Sequence, residues 1–233
     1  MAIIVVAHGA WSAAWAWKKM RPLMAAAGHE FFTPTYTGLG ERAHLASPDN
    51  DLETHIRDVL GVLEFEDLRK VVLIGHSYGG MVATGVADRA PERIAQVVYL
   101  DAFVPDDGQA LADFWPAAER QRRMEALTAG DGWRIAPNPV PPDTAPDDAA
   151  WIAKFRLPQS RKCFEEPLRL SGKPVLPRSY IQCMRYAERG PFGQFAARAR
   201  AEGWPTYELD ASHSPNVTAP QALMAVLEQV LTR

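Results

Sequence analysis

The stretch VVLIGHSYGGMVATGVADR, residues 71–89, sets an apolar run rich in branched side chains against a run of small ones, with a single serine between them. The first part predicts a strand, Val71–Gly75, buried on both faces because nothing in it alternates with polar residues. The second predicts a helix, Gly80–Asp88, whose Gly80, Ala83, Gly85 and Ala87 let it pack closely on a sheet. Between them Gly75-His76-Ser77-Tyr78-Gly79 must turn sharply from strand into helix. Such a turn forces Ser77 into a strained backbone conformation, and glycines two before and two after it remove side chains that would collide. The hydroxyl is then held above the carboxyl edge of the sheet. It also sits at a helix N-terminus, where N–H groups suit negative charge.

Outward from this unit, short branched runs alternate with longer helical segments, the pattern of a parallel sheet covered on both faces. Further strands are expected at Ile3–Ala7, Phe31–Tyr36, Ala95–Leu100, Ser179–Cys183 and Thr206–Leu209. Helices are expected at Trp17–Ala27, Leu52–Glu64, Pro191–Ala201 and Pro220–Leu231. These alternations imply a doubly wound arrangement. The region from about Val104 to Leu176 carries no convincing strand. There two helix-like segments, Leu111–Ala129 and Asp147–Leu170, flank the proline-rich link DGWRIAPNPVPPDTAP, and an insertion this long points to a lid over a site. The expected division is a core of residues 1–103 and 177–233 with a cap of residues 104–176.

Composition narrows the function. The 233 residues suffice for one sizeable core. A balance of 25 Lys+Arg against 28 Asp+Glu, with no basic stripe, argues against a nucleic-acid partner. The N-terminal MAIIVVAHGA has no basic segment before its apolar run, and that run is strand length, so no membrane span is expected and the cytoplasm is the expected location. Cys163 and Cys183 lie in no CxxC and near no histidine cluster, which speaks for reduced thiols and against a zinc site. Nothing in the composition decides the oligomeric state, and a homodimer stays open.

A serine hydroxyl needs a base within hydrogen-bond reach and a carboxylate to orient that base. His213 lies in ELDASHSPNVTAP, after the last expected strand and before the last helix, on the same sheet edge as Ser77. His29, His44, His55 and His76 fit less well, being before a strand, in an early loop, within a helix and beside the serine. The first strand ends in AHGAW, and the loop there faces Ser77. Its backbone can supply a second oxyanion donor, assigned to Ala10, beside the N–H of Tyr78.

The segments HGAWSAAWAWKKMRPLMAAAGHE, GHSYGGM and ASHSPNVTAPQAL resemble the α/β-hydrolase superfamily, especially the branch containing plant methylesterases and hydroxynitrile lyases, together with small bacterial esterases. The similarity covers roughly residues 2–105 and 178–233. It implies an α/β-hydrolase fold, a six-stranded mostly parallel doubly wound sheet with a helical cap inserted after the fourth strand. In that branch the orienting acid follows the strand before the last, in a turn like T-x-D. Here that segment reads YIQCMRYAERGPF, with Arg185 and Tyr186 at the place and Glu188 the nearest carboxylate. VVYLDAFVPDDG, however, is similar to the Y-x-E-A of haloalkane dehalogenases, whose glutamate orients the histidine from the neighbouring strand end. Asp101 is therefore favoured as the acid, with Glu188 as the alternative.

Ser77 argues against dehalogenases and epoxide hydrolases, which need a carboxylate nucleophile. Hydroxynitrile lyases carry a threonine and a lysine where Gly9 and Ser214 stand here, so ester hydrolysis is favoured over cyanohydrin cleavage. The expectation is a serine hydrolase of a small carboxylic ester, acting through an acyl-enzyme without metal or organic cofactor. A ligand-binding receptor or carrier, or a cofactor-free oxygenase or perhydrolase, are the alternatives. Phe114, Trp115, Trp133, Trp151 and Phe155 in the insertion suit an aromatic or apolar ester. Of these Trp115, Trp151 and Phe155, together with Gly9, are the expected substrate contacts, and Arg42 and His44 are candidate polar selectors.

Overall fold

The first strand, β1 (Ile3–Ala7), lies inside the sheet, and the chain leaves it through a 3-10 turn at Ala14–Trp17 and helix α1 (Met20–Ala26). The computed structural model of the chain describes residues 1–172, 176–186 and 190–232. Next come β2 (Glu30–Phe32), α2 (Leu52–Phe65), β3 (Val71–His76), α3 (Gly79–Arg89) and β4 (Ile94–Leu100). The inserted region holds α4 (Ala117–Ala129), β5 (Arg134–Ile135), α5 (Pro146–Phe155), β6 (Gln159–Ser160) and α6 (Lys162–Glu165). The chain closes with β7 (Arg178–Cys183), α7 (Gly193–Ala201), β8 (Thr206–Leu209), α8 (Pro215–Thr218) and α9 (Pro220–Leu231).

Six strands pair in the order β2-β1-β3-β4-β7-β8, and every pairing is parallel. The chain first winds outward from β1 to β2, then returns past β1 to β3 and winds the other way. The carboxyl ends of β1 and β3 therefore flank the point where the winding reverses, where sheets of this kind leave a crevice for ligands. Ile4 and Val6 of β1 bury on the face covered by Met20 and Met24 of α1 and Leu223 and Leu227 of α9. Val5 and Ala7 bury on the other, against Ile56, Val59 and Leu63 of α2 and Met81 and Val82 of α3. Helix α2 begins where it does because Asp51 caps it: its Oδ1 accepts from the Thr54 N–H at 2.7 Å.

Two close approaches require glycine. A Cβ on Gly79 would fall 1.9 Å from the Ala7 carbonyl oxygen, and one on Gly80 would fall 2.0 Å from that of Phe103. These contacts press the start of α3 onto the ends of β1 and β4.

Several boundaries differ from expectation, each for a local reason. The sheet is wholly rather than mostly parallel. The expected strand Phe31–Tyr36 shortens to Glu30–Phe32, ending just before Thr33-Pro34. The expected helix Leu111–Ala129 becomes a 3-10 turn at Leu111–Phe114 followed by α4, because Pro116 disfavours helical backbone at Trp115. Asp147–Leu170 is likewise not one helix. Pro158 stops α5, and Gln159–Ser160 pairs antiparallel with Arg134–Ile135 in a small ribbon that the sequence did not suggest.

Candidate active site

Backbone strain marks the sheet edge. Ser77 (φ 55°), Trp11 (φ 59°) and Asp101 (φ 41°) all adopt left-handed backbone, and all three follow strand ends. Non-glycine residues held so cluster where a structure constrains them for a purpose. Here the constraint is visible: the Ser77 N–H donates to the Leu100 carbonyl at 3.3 Å and the Phe103 N–H to the Ser77 carbonyl at 3.2 Å. The turn after β3 is thus tied to the turn after β4. The Asp101 N–H extends the ladder to the Ile181 carbonyl at 2.8 Å, and the Tyr180 hydroxyl brackets the next peptide, accepting from Ala102 N–H and donating to its carbonyl.

Three side chains meet across these turns. His213 Nε2 lies 3.0 Å from Ser77 Oγ, and its Nδ1 lies 2.7 Å from Asp101 Oδ2. An ionised carboxylate only accepts, so Nδ1 carries a proton and Nε2 can accept one from the serine. Asp101 is 1% exposed, and its second oxygen accepts from the Cys183 N–H at 3.3 Å. Aromatic rings pack against the imidazole: Phe192 at 4.7 Å and Tyr186 at 4.9 Å, the two 6.3 Å from each other. Tyr186 stands where the T-x-D comparison looks for a carboxylate, and its neighbour Arg185 pairs outward with Asp210 at 2.7 Å. Glu188, the alternative acid, lies outside the described residues.

Tyr78 is the N-cap of α3, so the helix does not use its N–H. Ala10 follows β1 and lines the same cavity as Ser77, while the next N–H, that of Trp11, is taken by Gln159 Oε1 at 2.9 Å. A Cβ on Gly9 would lie 3.2 Å from both His76 Nδ1 and Ser77 Cβ, a tight contact that brings this loop close against the turn at Ser77.

Two histidines given no task by sequence hold this edge together. His8 is buried, and its Nε2 accepts from the Tyr36 N–H at 3.2 Å, so its Nδ1 carries the proton and donates to the Gly9 carbonyl at 2.9 Å. In a trans peptide the carbonyl and the following N–H point oppositely, so this bond also aims the Ala10 N–H. His76 donates from Nε2 to the His213 carbonyl at 2.7 Å. Burial keeps both rings neutral, lowering each to a pKa of about 3. A third buried histidine, His55, is lowered to about 4 by burial, donates to the Thr37 carbonyl at 3.2 Å and receives the Tyr78 hydroxyl at 2.9 Å. A polar residue in an otherwise apolar strand end was the signal for His8.

A cavity of about 620 Å³ opens beside Ser77 and His213. Gly9 and Trp115 line it, together with Phe114 and Phe164 from the insertion. Trp151 and Phe155 do not. They pack on Trp15, at 5.7 and 5.6 Å, so that Trp15 rather than they faces the cavity. The helical repeat of α5 turns Ile152 inward instead. Trp133 sits under Arg134 and also lies off the cavity wall. Arg42 is bound to Asp58 at 2.7 Å, and His44 is exposed, so neither reaches the cavity. Among the described residues no cluster of His, Cys, Asp or Glu could hold a metal, and no helix is long and apolar enough to cross a membrane. Cys163 and Cys183 are both unpaired and buried, with burial pushing the Cys163 thiol up to about 12.

The chain belongs to the alpha/beta hydrolase family, whose sequence model matches residues 4–226. Within it the chain is a carboxylesterase-like enzyme. It is 38% identical over 235 residues to the carbendazim hydrolyzing esterase of Nocardioides sp. (strain SG-4G), covering 96% of this chain and 97% of that protein. It is 35% identical over 103 residues to methylesterase 9 of Arabidopsis thaliana, 44% of this chain and 40% of that one. Among solved structures, an extracellular alpha/beta-hydrolase from a Paenibacillus species superposes with a TM-score of 0.86 at 24% identity, covering 98% of each chain, and shares the fold.

Proposed function

We propose that the protein hydrolyses a small carboxylic ester through Ser77, His213 and Asp101. The observation that carries the reading is the unbroken chain from Asp101 Oδ2 through His213 to Ser77 Oγ, with contacts of 2.7 and 3.0 Å, opening onto a cavity of about 620 Å³. Ser77 Oγ bonds to the ester carbonyl carbon as its proton passes to His213 Nε2. The N–H groups of Tyr78 and Ala10 receive the oxyanion, and loss of one such donor typically costs about 3 kcal/mol in the transition state. The intermediate collapses, His213 protonates the departing alkoxide, and the alcohol leaves. Water, deprotonated by the same nitrogen, then attacks the acyl-serine and releases the acid. Asp101 keeps the proton on Nδ1 throughout and offsets the positive charge the ring acquires.

Residues 104–176 act in this reading as the cap, and Phe114, Trp115 and Phe164 give the cavity an aromatic wall suited to an apolar or aromatic ester. Unpaired thiols fit a cytoplasmic location. The test is a panel of methyl, p-nitrophenyl and lactone substrates, with carbendazim included, run on the wild type and on Ser77→Ala. Turnover should fall by about 10⁴-fold or more in the variant, with the melting temperature unchanged. Equal turnover by the two proteins would refute the assignment.

A further inference from the structure

The charged wall of the cavity is unbalanced. Arg122, Arg123 and Arg156 line it against one carboxylate, Glu119, among the described residues. Glu119 is shared by Arg122 and Arg123, its Oε1 lying 2.7 Å from Arg123 Nε. Arg123 is further committed to the Asn138 side chain, and its guanidinium lies 4.7 Å from the Trp115 ring centroid and 5.4 Å from that of Trp11. Those two arginines and their carboxylate form a closed set that serves the cap.

Arg156 does not belong to that set. Among the described residues it has no ion pair, and its one hydrogen bond is from Nη1 to the Asn138 carbonyl at 3.2 Å, which leaves most of its five donors unused. Its placement is nevertheless built. It is the residue that ends α5, with its own N–H bonded to the Ile152 carbonyl at 3.1 Å. The next residue, Leu157, donates to the Trp11 carbonyl at 3.2 Å, tethering the segment to the loop after β1. Burial lowers its proton affinity, and its charge in turn lowers that of His76, the histidine beside Ser77. Trp15 also lines the cavity, and its indole N–H is buried with no partner among the described residues. A half-buried guanidinium with no counter-charge among the described residues, facing a cavity, offers an anion site.

Resting on the ester-hydrolase reading, we infer that Arg156 is a specificity determinant and that the preferred substrates are esters bearing a second, anionic group, a carboxylate that pairs with its guanidinium. The reaction is unchanged by this. The second carboxylate takes no part in bond making and serves to hold the ester against Ser77.

Matched pairs test it: monomethyl terephthalate against methyl benzoate, with the charge on the acyl side, and 4-acetoxybenzoate against 4-methylphenyl acetate, with the charge on the alcohol side. In at least one pair the anionic ester should show a kcat/KM at least tenfold higher, expressed mainly in KM. Arg156→Gln should erase that preference while changing the neutral ester less than threefold, and Arg156→Lys should restore part of it. Equal use of both members of each pair, a preference that survives Arg156→Gln, or an equal fall for both members would overturn the inference. Calorimetric binding to Ser77→Ala separates the two readings. Tighter binding of the anionic ester, lost when Arg156→Gln is added, supports the charge site even if no ester is turned over, whereas ester turnover without such discrimination leaves hydrolysis standing and removes the role of Arg156.

Discussion

The rim of the sheet and the inserted region solve different problems with different materials. At the rim, three left-handed residues, backbone bonds between neighbouring turns and glycines under carbonyl oxygens allow almost no movement. In the insertion, short helices and a two-residue ribbon are interrupted by proline, and the cavity wall is made of rings and arginines. The proposed proton transfer between Ser77 and His213 demands positions good to a fraction of an ångström. Selection among esters demands only a shaped and charged surface. In the proposed reaction the contrast assigns the chemistry to the part whose backbone is over-determined, and substrate choice to the part that can vary.

The sharpest way to break this contrast is to remove charge from the rim. Asp101→Asn should lower kcat by about 10³–10⁴-fold with the fold intact, because an amide at this position no longer selects the tautomer that accepts the serine proton. Near-normal activity would shift the acid to Glu188. Packing at the rim is the next lever. Gly79→Ala places a methyl 1.9 Å from the Ala7 carbonyl oxygen and should cost about 4 kcal/mol or more, read as a collapse of the denaturant midpoint. A midpoint like that of wild type would mean that the turn after β3 can yield.

His8→Phe tests the loop after β1. It removes the donor to the Gly9 carbonyl, and kcat should drop about ten- to a hundredfold with KM little changed, somewhat less than the loss of an oxyanion donor outright. A rise in KM alone would assign His8 to the pocket instead.

Acid stability discriminates the two regions by a different route. His8, His55 and His76 have folded pKa values of about 3, 4 and 3, below the unfolded value near 6.5. Between these limits the unfolded chain binds protons that the folded chain refuses, so stability is lost as pH falls below about 6.5. Each histidine contributes a slope of up to about 1.4 kcal/mol per pH unit. Urea midpoints measured from pH 7.5 to 5 should fall steeply, and a flat profile would show that these rings are not held neutral. The smallest effects belong to the cap: Trp115→Ala should raise KM for aromatic esters several-fold, while Trp151→Ala and Phe155→Ala, which touch Trp15 rather than the cavity, should change it by less than about twofold.

Legibility follows the same division. α9 was read to the residue, and the helix after Ser77 to within one residue at each end, because hydrophobic periodicity and turn residues act over a few positions. The inserted helices were overextended, because their apolar residues keep a helical spacing through Trp115-Pro116 and Leu157-Pro158 while the backbone cannot. Ser77, Asp101 and His213 were each visible as polar residues at strand ends. Trp151 and Phe155 were misassigned because composition shows that a segment is aromatic without showing which way its helix faces.

What sequence alone determined was the order of the core strands and helices outside the insertion, the sharp turn at Ser77 and the short set of groups able to partner it, since local sterics and side-chain periodicity are properties of neighbours along the chain. Which carboxylate lies 2.7 Å from His213, which rings face the cavity, how His8 steers the Ala10 N–H and why Arg156 has no ion pair among the described residues were decided only by tertiary structure. Each depends on distances between residues far apart in sequence, and those exist only once the sheet has brought its strand ends to one edge.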